Sequence, residues 1–299
     1  MSRQMLFVRN PTAGSFRAQG SFLDAADVIF RRSYSVYLYS TRYGGDAARI
    51  VAETGSHYDR IVCFGGDGTL NEVINGIMHL ERRPELGYIP AGTTNDFAAG
   101  LGLSKNVVQA AKDAVGGTAL PLDVGETNTG KFFSYVASFG SFTSASYSAP
   151  QGVKNAIGYP AYLLEGMKSL ADIHPYHVHV TSDEVDVEDD FIFGGVSNST
   201  SLAGMIKLGR DQVDMSDGLF EVLLIRVPRN IAEFTDIVNG IFSHSFKSGN
   251  ILFFKTRHIR FDCTVPFAWT VDGEFAGVVS TMELYNRSGA VNMVRPEQK

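Results

Sequence analysis

Through the first 125 residues, short apolar runs alternate with stretches whose apolar positions recur every three to four residues. Met5 to Val8 predicts a strand, and Phe22, Ala25, Ala26 and Ile29 fall on one face of a helix. Val36 to Tyr39 predicts a second strand and Asp46 to Thr54 a helix. A third strand, Ile61 to Phe64, is apolar throughout and leads into Leu70, Val73, Ile74 and Ile77 at helical spacing. Leu86 to Ile89 is a fourth strand, and Thr94 to Leu101 with Asn106 to Val115 supply further helix. Such alternation predicts a doubly wound α/β domain, a parallel sheet with helices on both faces, whose ligands gather at the carboxyl ends of the strands.

From about Leu120 the texture changes. Strand-like segments at Phe132 to Ala137, His177 to Thr181, Phe191 to Val196, Phe220 to Val227, Ile251 to Phe254, Ile259 to Val265 and Met282 to Tyr285 predict a largely antiparallel second domain. One helix interrupts them, with Tyr159, Tyr162, Leu163, Gly166, Met167 and Leu170 on a face read as core rather than lipid contact. Residues 1–125 are therefore expected to form the first domain and 126–290 the second, with 291–299 able to rejoin the first. The run Asp183 to Asp190 alternates acid with valine before turning wholly acidic, the pattern of an exposed hairpin. His177 and His179 share a strand face, but without a cysteine or third histidine nearby they are a weak metal set.

Composition narrows the classes. With 44% hydrophobic residues in 299, each domain can bury its own core. A net charge of −6 speaks against a nucleic-acid partner, and Arg31-Arg32 and Arg82-Arg83 read as solvated faces. No apolar stretch approaches the roughly 18 residues that span a bilayer, and Met5 to Val8 is too short for a signal core, so a cytosolic protein is expected. Cys63 lies in an apolar strand and Cys263 alternates with Ile259, Phe261 and Val265, so both read as reduced core residues.

The chemistry concentrates in loops. Gly65, Gly66, Asp67 and Gly68 follow the third strand and open a helix with Thr69, Leu70, Asn71 and Glu72, so that backbone amides and a helix N-terminus face one place. Such a nest suits phosphate, and Asp67 can sit beside phosphate only when a divalent cation screens it. Asn10, Pro11, Thr12, Ala13, Gly14 and Ser15 follow the first strand, and Pro90, Ala91, Gly92, Thr93, Thr94, Asn95 and Asp96 follow the fourth, where Asn95 or Asp96 would cap the next helix. In the second domain Trp269 to Phe275 reads as a hairpin turning at Asp272-Gly273. Asp214 to Leu219 reads as a turn whose oxygens also suit Mg²⁺ or Ca²⁺. Asp123 is a boundary carboxylate that needs a partner if buried.

Taken in order, Asn10 to Gly14, Thr41 with Gly45-Asp46-Ala47, Gly65 to Glu72, Pro90 to Asp96, Leu122 to Gly125, Asp217-Gly218 and Asp272-Gly273-Glu274 resemble the bacterial diacylglycerol kinase-like lipid kinases, relatives of sphingosine and ceramide kinases. The likeness covers nearly the whole chain. It implies an amino-terminal α/β domain similar to those of phosphofructokinases and NAD kinases and a β-sandwich-like carboxy-terminal domain, with the active site in a cleft between them. It implies ATP bound by Asn10 to Gly14, Thr41, Gly65 to Glu72 and Thr93 or Thr94. Glu274 resembles the family's proton acceptor, although Asp67 matches the base of related sphingosine kinases. Asp217, with main-chain oxygens near Asp214 and Leu219, resembles a structural Mg²⁺ site, and Asp123 the buried acid networked with it. The implied partners are a lipid substrate and peripheral contact with the inner face of the cell membrane, with a homodimer left open. Ser197 to Gly204 is less glycine-rich than that family, which leaves the acceptor contacts undefined. An NAD kinase shares the Gly-Gly-Asp-Gly loop, but its next Asn motif is an Asn-Glu pair farther downstream, whereas here Asn95-Asp96 sits in a Gly-Thr-Thr loop. A catalytically silent lipid- or nucleotide-binding regulator would have little reason to keep both Asp67 and Glu274.

Overall fold

The computed structural model describes residues 3–13, 21–92, 95–140, 174–199, 201–202, 206–207, 213–246 and 248–296. The chain divides into two compact units, Met1–Val124 with Lys131–Ser134 and Arg287–Lys299, and Gly125–Gly130 with Tyr135–Asn286.

In the first unit, strands β1 (Arg3–Arg9), β2 (Tyr34–Ser40), β3 (Arg60–Gly65) and β4 (Glu85–Pro90) pair in parallel in the order β2-β1-β3-β4. The chain's last strand sets Met293 parallel beside Leu86. The helices are α1 (Phe22–Phe30), α2 (Asp46–Thr54), α3 (Asp67–Met78), α4 (Asp96–Gly100) and α5 (Val107–Gly116). Because successive strand residues point to opposite faces, Met5, Phe7, Val62, Phe64 and Ile89 pack against α1 and α5 on one side. Leu6, Val8, Ile61 and Cys63 are equally buried with the opposite parity, on the side of α2 and α3. There Gly76 lets the two helices close, since a Cβ on it would stand 2.7 Å from Ala48 O and Val51 Cβ. Burial at every position of β3 follows from this two-sided cover and explains its unbroken apolar run. The buried face of α1 is the one its periodicity predicts, and α2 has the expected bounds. Asn106, expected inside a helix, is instead the N-cap of α5, its side chain accepting from Gln109 N at 3.0 Å. Strand order reverses between β1 and β3, and open α/β sheets bind ligands outside the carboxyl ends of the strands at such a point.

β5 (Thr118–Thr127) carries the chain out of the first unit, and β6 is Phe132–Phe133. The second unit is antiparallel: β7 (Val136–Gly140), β8 (Tyr176–Ser182), β9 (Asp186–Ser197), β12 (Phe220–Arg226), β13 (Ile251–Thr256), β14 (His258–Val271) and β15 (Glu274–Arg295), with the short pair β10 (Ser201–Leu202) and β11 (Ile206–Lys207) standing apart. β9 and β14 each pair with β8 along their first halves or ends and with β7 along their second. Phe139 anchors the interior, with ring centroids 4.8 Å from Phe267, 5.0 Å from Trp269 and 5.8 Å from Phe261. Helix α6 (Ile231–Phe242) starts at Asn230, whose side chain accepts from Glu233 N, and buries Ile237.

One expectation needs correction here. The alternation Ile259-Phe261-Cys263-Val265 does not continue, because the register shifts between Asp262 and Phe267; Cys263 is only half-buried, Val265 is exposed, and Phe267 and Trp269 take the core positions. Cys63 is fully buried as expected, and burial pushes its thiol well above the usual range. The acidic run does form a hairpin, with Ser182 N donating to Val185 O at 2.7 Å. His177 and His179 use their ring nitrogens there on Asp190, Glu188 and Asp186, which hold both rings above the ordinary imidazole value, Asp190 foremost for His177 and Asp186 for His179. The helix expected over Tyr159 to Leu170 lies outside the described residues.

Candidate active site

The loops leaving β1, β2, β3 and β4 all stand at the carboxyl edge of the first unit's sheet. Asn10 donates from its backbone to Phe64 O at 3.0 Å and from Nδ2 to Thr69 Oγ1 at 2.9 Å, tying the β1 loop across the switch point to the first turn of α3. Its Oδ1 accepts from Thr12 N and Thr12 Oγ1, which shapes the Asn10–Ala13 turn around Pro11. Thr41 is buried and its N donates to Arg9 O at 2.8 Å.

The glycines have distinct duties. A Cβ on Gly65 would meet Thr69 Cβ at 2.6 Å, and one on Gly92 would meet Gly66 Cα at 2.7 Å. Two main chains therefore lie in contact between the β3 and β4 loops. Gly68, exposed in the first turn of α3, is different: a Cβ there would meet nothing within 4 Å. Nothing among the described residues requires a glycine at that spot. The first-turn amides of α3 have no intrahelical acceptors and carry the positive end of the helix dipole, which favours an anion.

Tyr88 OH donates to Asp67 Oδ1 at 3.3 Å and stands 3.5 Å from Asn95 Oδ1. Burial foremost, and then the Asp67 carboxylate, push this phenol far above its usual value, so it stays a neutral donor. Asn95, in the left-handed region at φ 52°, turns its side chain back on Gly92, accepting from Gly92 N at 2.9 Å and donating to Gly92 O at 2.8 Å. It occupies the cap position of α4 without a side-chain cap bond, so of the pair Asn95 or Asp96 expected to cap that helix, Asn95 does not. Sequence reasoning missed Tyr88; the signal was a lone hydroxyl in an otherwise apolar strand, two residues before the loop.

Other predicted residues serve the frame. Leu70 is buried and its N bonds Gly66 O. Asn71 Oδ1 accepts from Asn75, which also grips both main-chain groups of Phe132, and Glu72 accepts from Ala47 N at 3.1 Å. Behind the β2 loop, Asp46 is wholly buried; burial raises its carboxyl, but hydrogen bonds from Arg42, Arg49 and Tyr39 more than offset this and hold it well below the usual range. Gly14, Thr93 and Thr94 lie outside the described residues.

In the second unit, Val271 pairs with Glu274 across a two-residue turn in which Asp272 and Gly273 have φ of 46° and 85°, as the Asp-Gly signal predicts. Asp272 Oδ1 accepts from Tyr135 N at 3.0 Å and Val136 N at 2.8 Å, fixing the turn that presents exposed Glu274. Asp214 Oδ1 accepts from Ser216 N and Oγ, and Asp217 Oδ1 from Leu219 N. Lys255 Nζ reaches Asp217 Oδ2 at 3.1 Å and pairs with buried Glu221, 3.1 Å from its Oε1. Burial raises Glu221 to about 7 against the pull of Lys255. Among the described residues no three His, Cys, Asp or Glu gather to hold a metal ion; the set that the resemblance implies is of another kind, one carboxylate, Asp217, with main-chain oxygens near Asp214 and Leu219. Asp123, in the first unit, finds its partner in Gly289 N at 2.7 Å.

The sequence profile of the diacylglycerol kinase catalytic domain matches residues 4–127, which carry the sheet edge just described. The chain is 30% identical over 295 residues to a diacylglycerol kinase of Bacillus subtilis strain 168, covering 98% of this chain and 96% of that one. It belongs to the diacylglycerol kinase family. A Staphylococcus aureus diacylglycerol kinase is 29% identical over 93% of this chain and 88% of its own. The crystal structure of a Bacillus anthracis diacylglycerol kinase superposes with a TM-score of 0.77 at 25% identity, covering 99% of this chain and 98% of that chain, and shares its α/β content and sheet-rich carboxy-terminal region. Family membership makes this an ATP-dependent kinase that phosphorylates a lipid hydroxyl. No helix among the described residues is long and apolar enough to cross a membrane.

Proposed function

We propose that this kinase transfers the γ-phosphate of ATP to the free hydroxyl of diacylglycerol, giving phosphatidic acid at the inner face of the membrane. The observation that carries the nucleotide half is the switch-point edge, where Asn10 is bonded to Thr69, the Gly66 and Gly92 backbones touch, and Gly68 opens outward. In this reading the edge offers amides and hydroxyls to a triphosphate, and the resemblance adds Thr93 or Thr94 as a further donor. Asp67, steadied by Tyr88, is the carboxylate that would hold Mg²⁺. The ion, when bound, neutralises the charge on the transferring phosphoryl group.

Positioning and charge neutralisation do most of the work in such a transfer, so one carboxylate within reach of the attacking hydroxyl suffices as base. We assign that role to Glu274, presented by the turn that Asp272 fixes, with Asp67 as the alternative. Residues 1–125 with 291–299 form the nucleotide domain in this reading, akin to those of phosphofructokinases and NAD kinases, and 126–290 the sandwich-like acceptor domain.

The test is incubation with γ-labelled ATP and a panel of diacylglycerol, monoacylglycerol, sphingosine, ceramide, phosphatidylglycerol, undecaprenol and NAD. Label on diacylglycerol supports the reading; label on NAD alone overturns it. Glu274→Gln is expected to lower kcat by a factor on the order of 10² while leaving ATP binding intact. Unchanged turnover would move the base to Asp67.

A further inference from the structure

We propose that Arg9 binds the phosphates of ATP, meeting them from the α1 side of the crevice that the α3 nest faces from the other. The inference rests on the reading that the switch-point edge holds the triphosphate. Arg9 is the last residue of β1, directly before Asn10, and its carbonyl accepts from Thr41 N at 2.8 Å. It shares the parity of Met5 and Phe7, so its side chain leaves the sheet on the face that α1 and α5 cover, whereas Gly65 and Gly66 lead into α3 on the opposite face. Adjacent strands whose loops depart to opposite faces leave a crevice between them, and a ligand lying in it has one wall from each. β1 and β3 are that pair, with Arg9 in register beside Phe64.

The state of the guanidinium is what points to a ligand. Half-buried Arg9 sets its Cζ 4.1 Å from the centroid of the Phe22 ring, and among the described residues no carboxylate or carbonyl accepts from it. Arg42, on the next loop of the same edge, is the contrast: its guanidinium is already engaged by Asp46, Nε to Oδ2 at 3.2 Å. A cation withdrawn from part of its water without a counter-charge is costly, and a phosphate supplies what is missing. Stacking on a ring covers one face of the guanidinium and leaves its N–H edges free, the arrangement that suits a two-pronged bond to phosphate oxygens. Covering Phe22 needs no charge by itself, since an aliphatic stem would do the same.

The test is calorimetric titration of the full chain with MgATP, beside melts without nucleotide. Arg9→Gln is expected to raise the Kd for MgATP roughly 10- to 100-fold, through loss of a charge-assisted bond. Its ligand-free melting temperature should fall by no more than about 3 °C, the ring contact being all that the protein itself loses. Arg9→Lys, which keeps a point charge without the planar fork, should bind at least about threefold better than Arg9→Gln. In turnover the KM for ATP should rise with the Kd while kcat stays within about threefold of wild type. A Kd for Arg9→Gln within about twofold of wild type would overturn the proposal, as would an Arg9→Lys protein that binds no better than Arg9→Gln. So would a ligand-free melt of Arg9→Gln more than about 6 °C below wild type, which would make Arg9 an anchor of the fold. Gly68→Ala run alongside keeps the two readings apart. Weakened binding in Gly68→Ala with Arg9→Gln unaltered strikes out Arg9 alone; if wild type binds MgATP and neither variant weakens it, the placement of the triphosphate falls as well.

Discussion

Replacing Gly68 by alanine separates what the fold needs from what the ligand needs. Gly68 is the second residue of α3, its φ is outside the left-handed region, and a Cβ on it meets no heavy atom within 4 Å. An exposed helical alanine is preferred over glycine by about 0.5–1 kcal/mol, so the ligand-free variant should melt as high as wild type or about 1–4 °C higher. The triphosphate should respond in the opposite sense. The new methyl stands where oxygens must approach the first-turn amides, and loss of one charge-assisted hydrogen bond costs about 1.5–3 kcal/mol, or roughly 10- to 100-fold in affinity.

Melting curves with and without ATP read both effects at once. Where wild type gains about 2.7 kcal/mol at a concentration of 100 Kd, a variant bound 100-fold more weakly gains about 0.4 kcal/mol at the same concentration. Gly65→Ala and Gly92→Ala are the contrast. Their methyls would stand 2.6 Å from Thr69 Cβ and 2.7 Å from Gly66 Cα, so both should destabilise the protein by about 1–3 kcal/mol before any nucleotide is added. A Gly68→Ala protein with raised stability and unaltered ATP affinity would refute the placement of the phosphates in this nest.

Tyr88→Phe keeps the ring and removes the donor to Asp67; kcat/KM for MgATP should fall about five- to tenfold with the melting temperature nearly unchanged. Asp46→Asn takes a buried carboxylate away from the guanidiniums of exposed Arg42 and half-buried Arg49 and weakens its hydrogen bonds, and should cost about 1.5–3 kcal/mol, measured by urea unfolding. Glu221, raised in the fold to about 7 from an ordinary 4.5, binds its proton more tightly folded than unfolded. Its contribution is therefore fully present below about pH 4.5 and is lost as pH rises through about 7; Glu221→Gln should flatten that slope and equal or exceed wild-type stability at pH 8.

The first unit's elements were legible because each is governed by its own period. Phe22, Ala25, Ala26 and Ile29 can share one side only in a helix, and the apolar run through Phe64 can be satisfied only by a strand covered on both faces. Where legibility failed, the cause lay in a partner distant in the chain. Cys263 and Val265 keep the alternation of a buried strand, yet a register shift against β15 puts one half out and the other wholly out of the core. A local period cannot report a bulge whose origin is the facing strand.

The nucleotide edge shows the same division at finer scale. Glycines and hydroxyls after three strands could be read as a phosphate nest because the reason for each is local: a tight turn, an open helix end, a short donor. The network that holds the nest is not local. Tyr88 reaches Asp67 across two strand ends, Asn95 stands at the cap position yet clasps Gly92, and Asn10 reaches Thr69 only because the strand order brings β1 beside β3. The residues we assign to phosphate thus announce themselves by type, whereas those that orient them look like ordinary core or caps until topology makes them neighbours. Tyr88 and Asn95 are for that reason the two positions where substitution should disturb nucleotide geometry with the least warning from sequence.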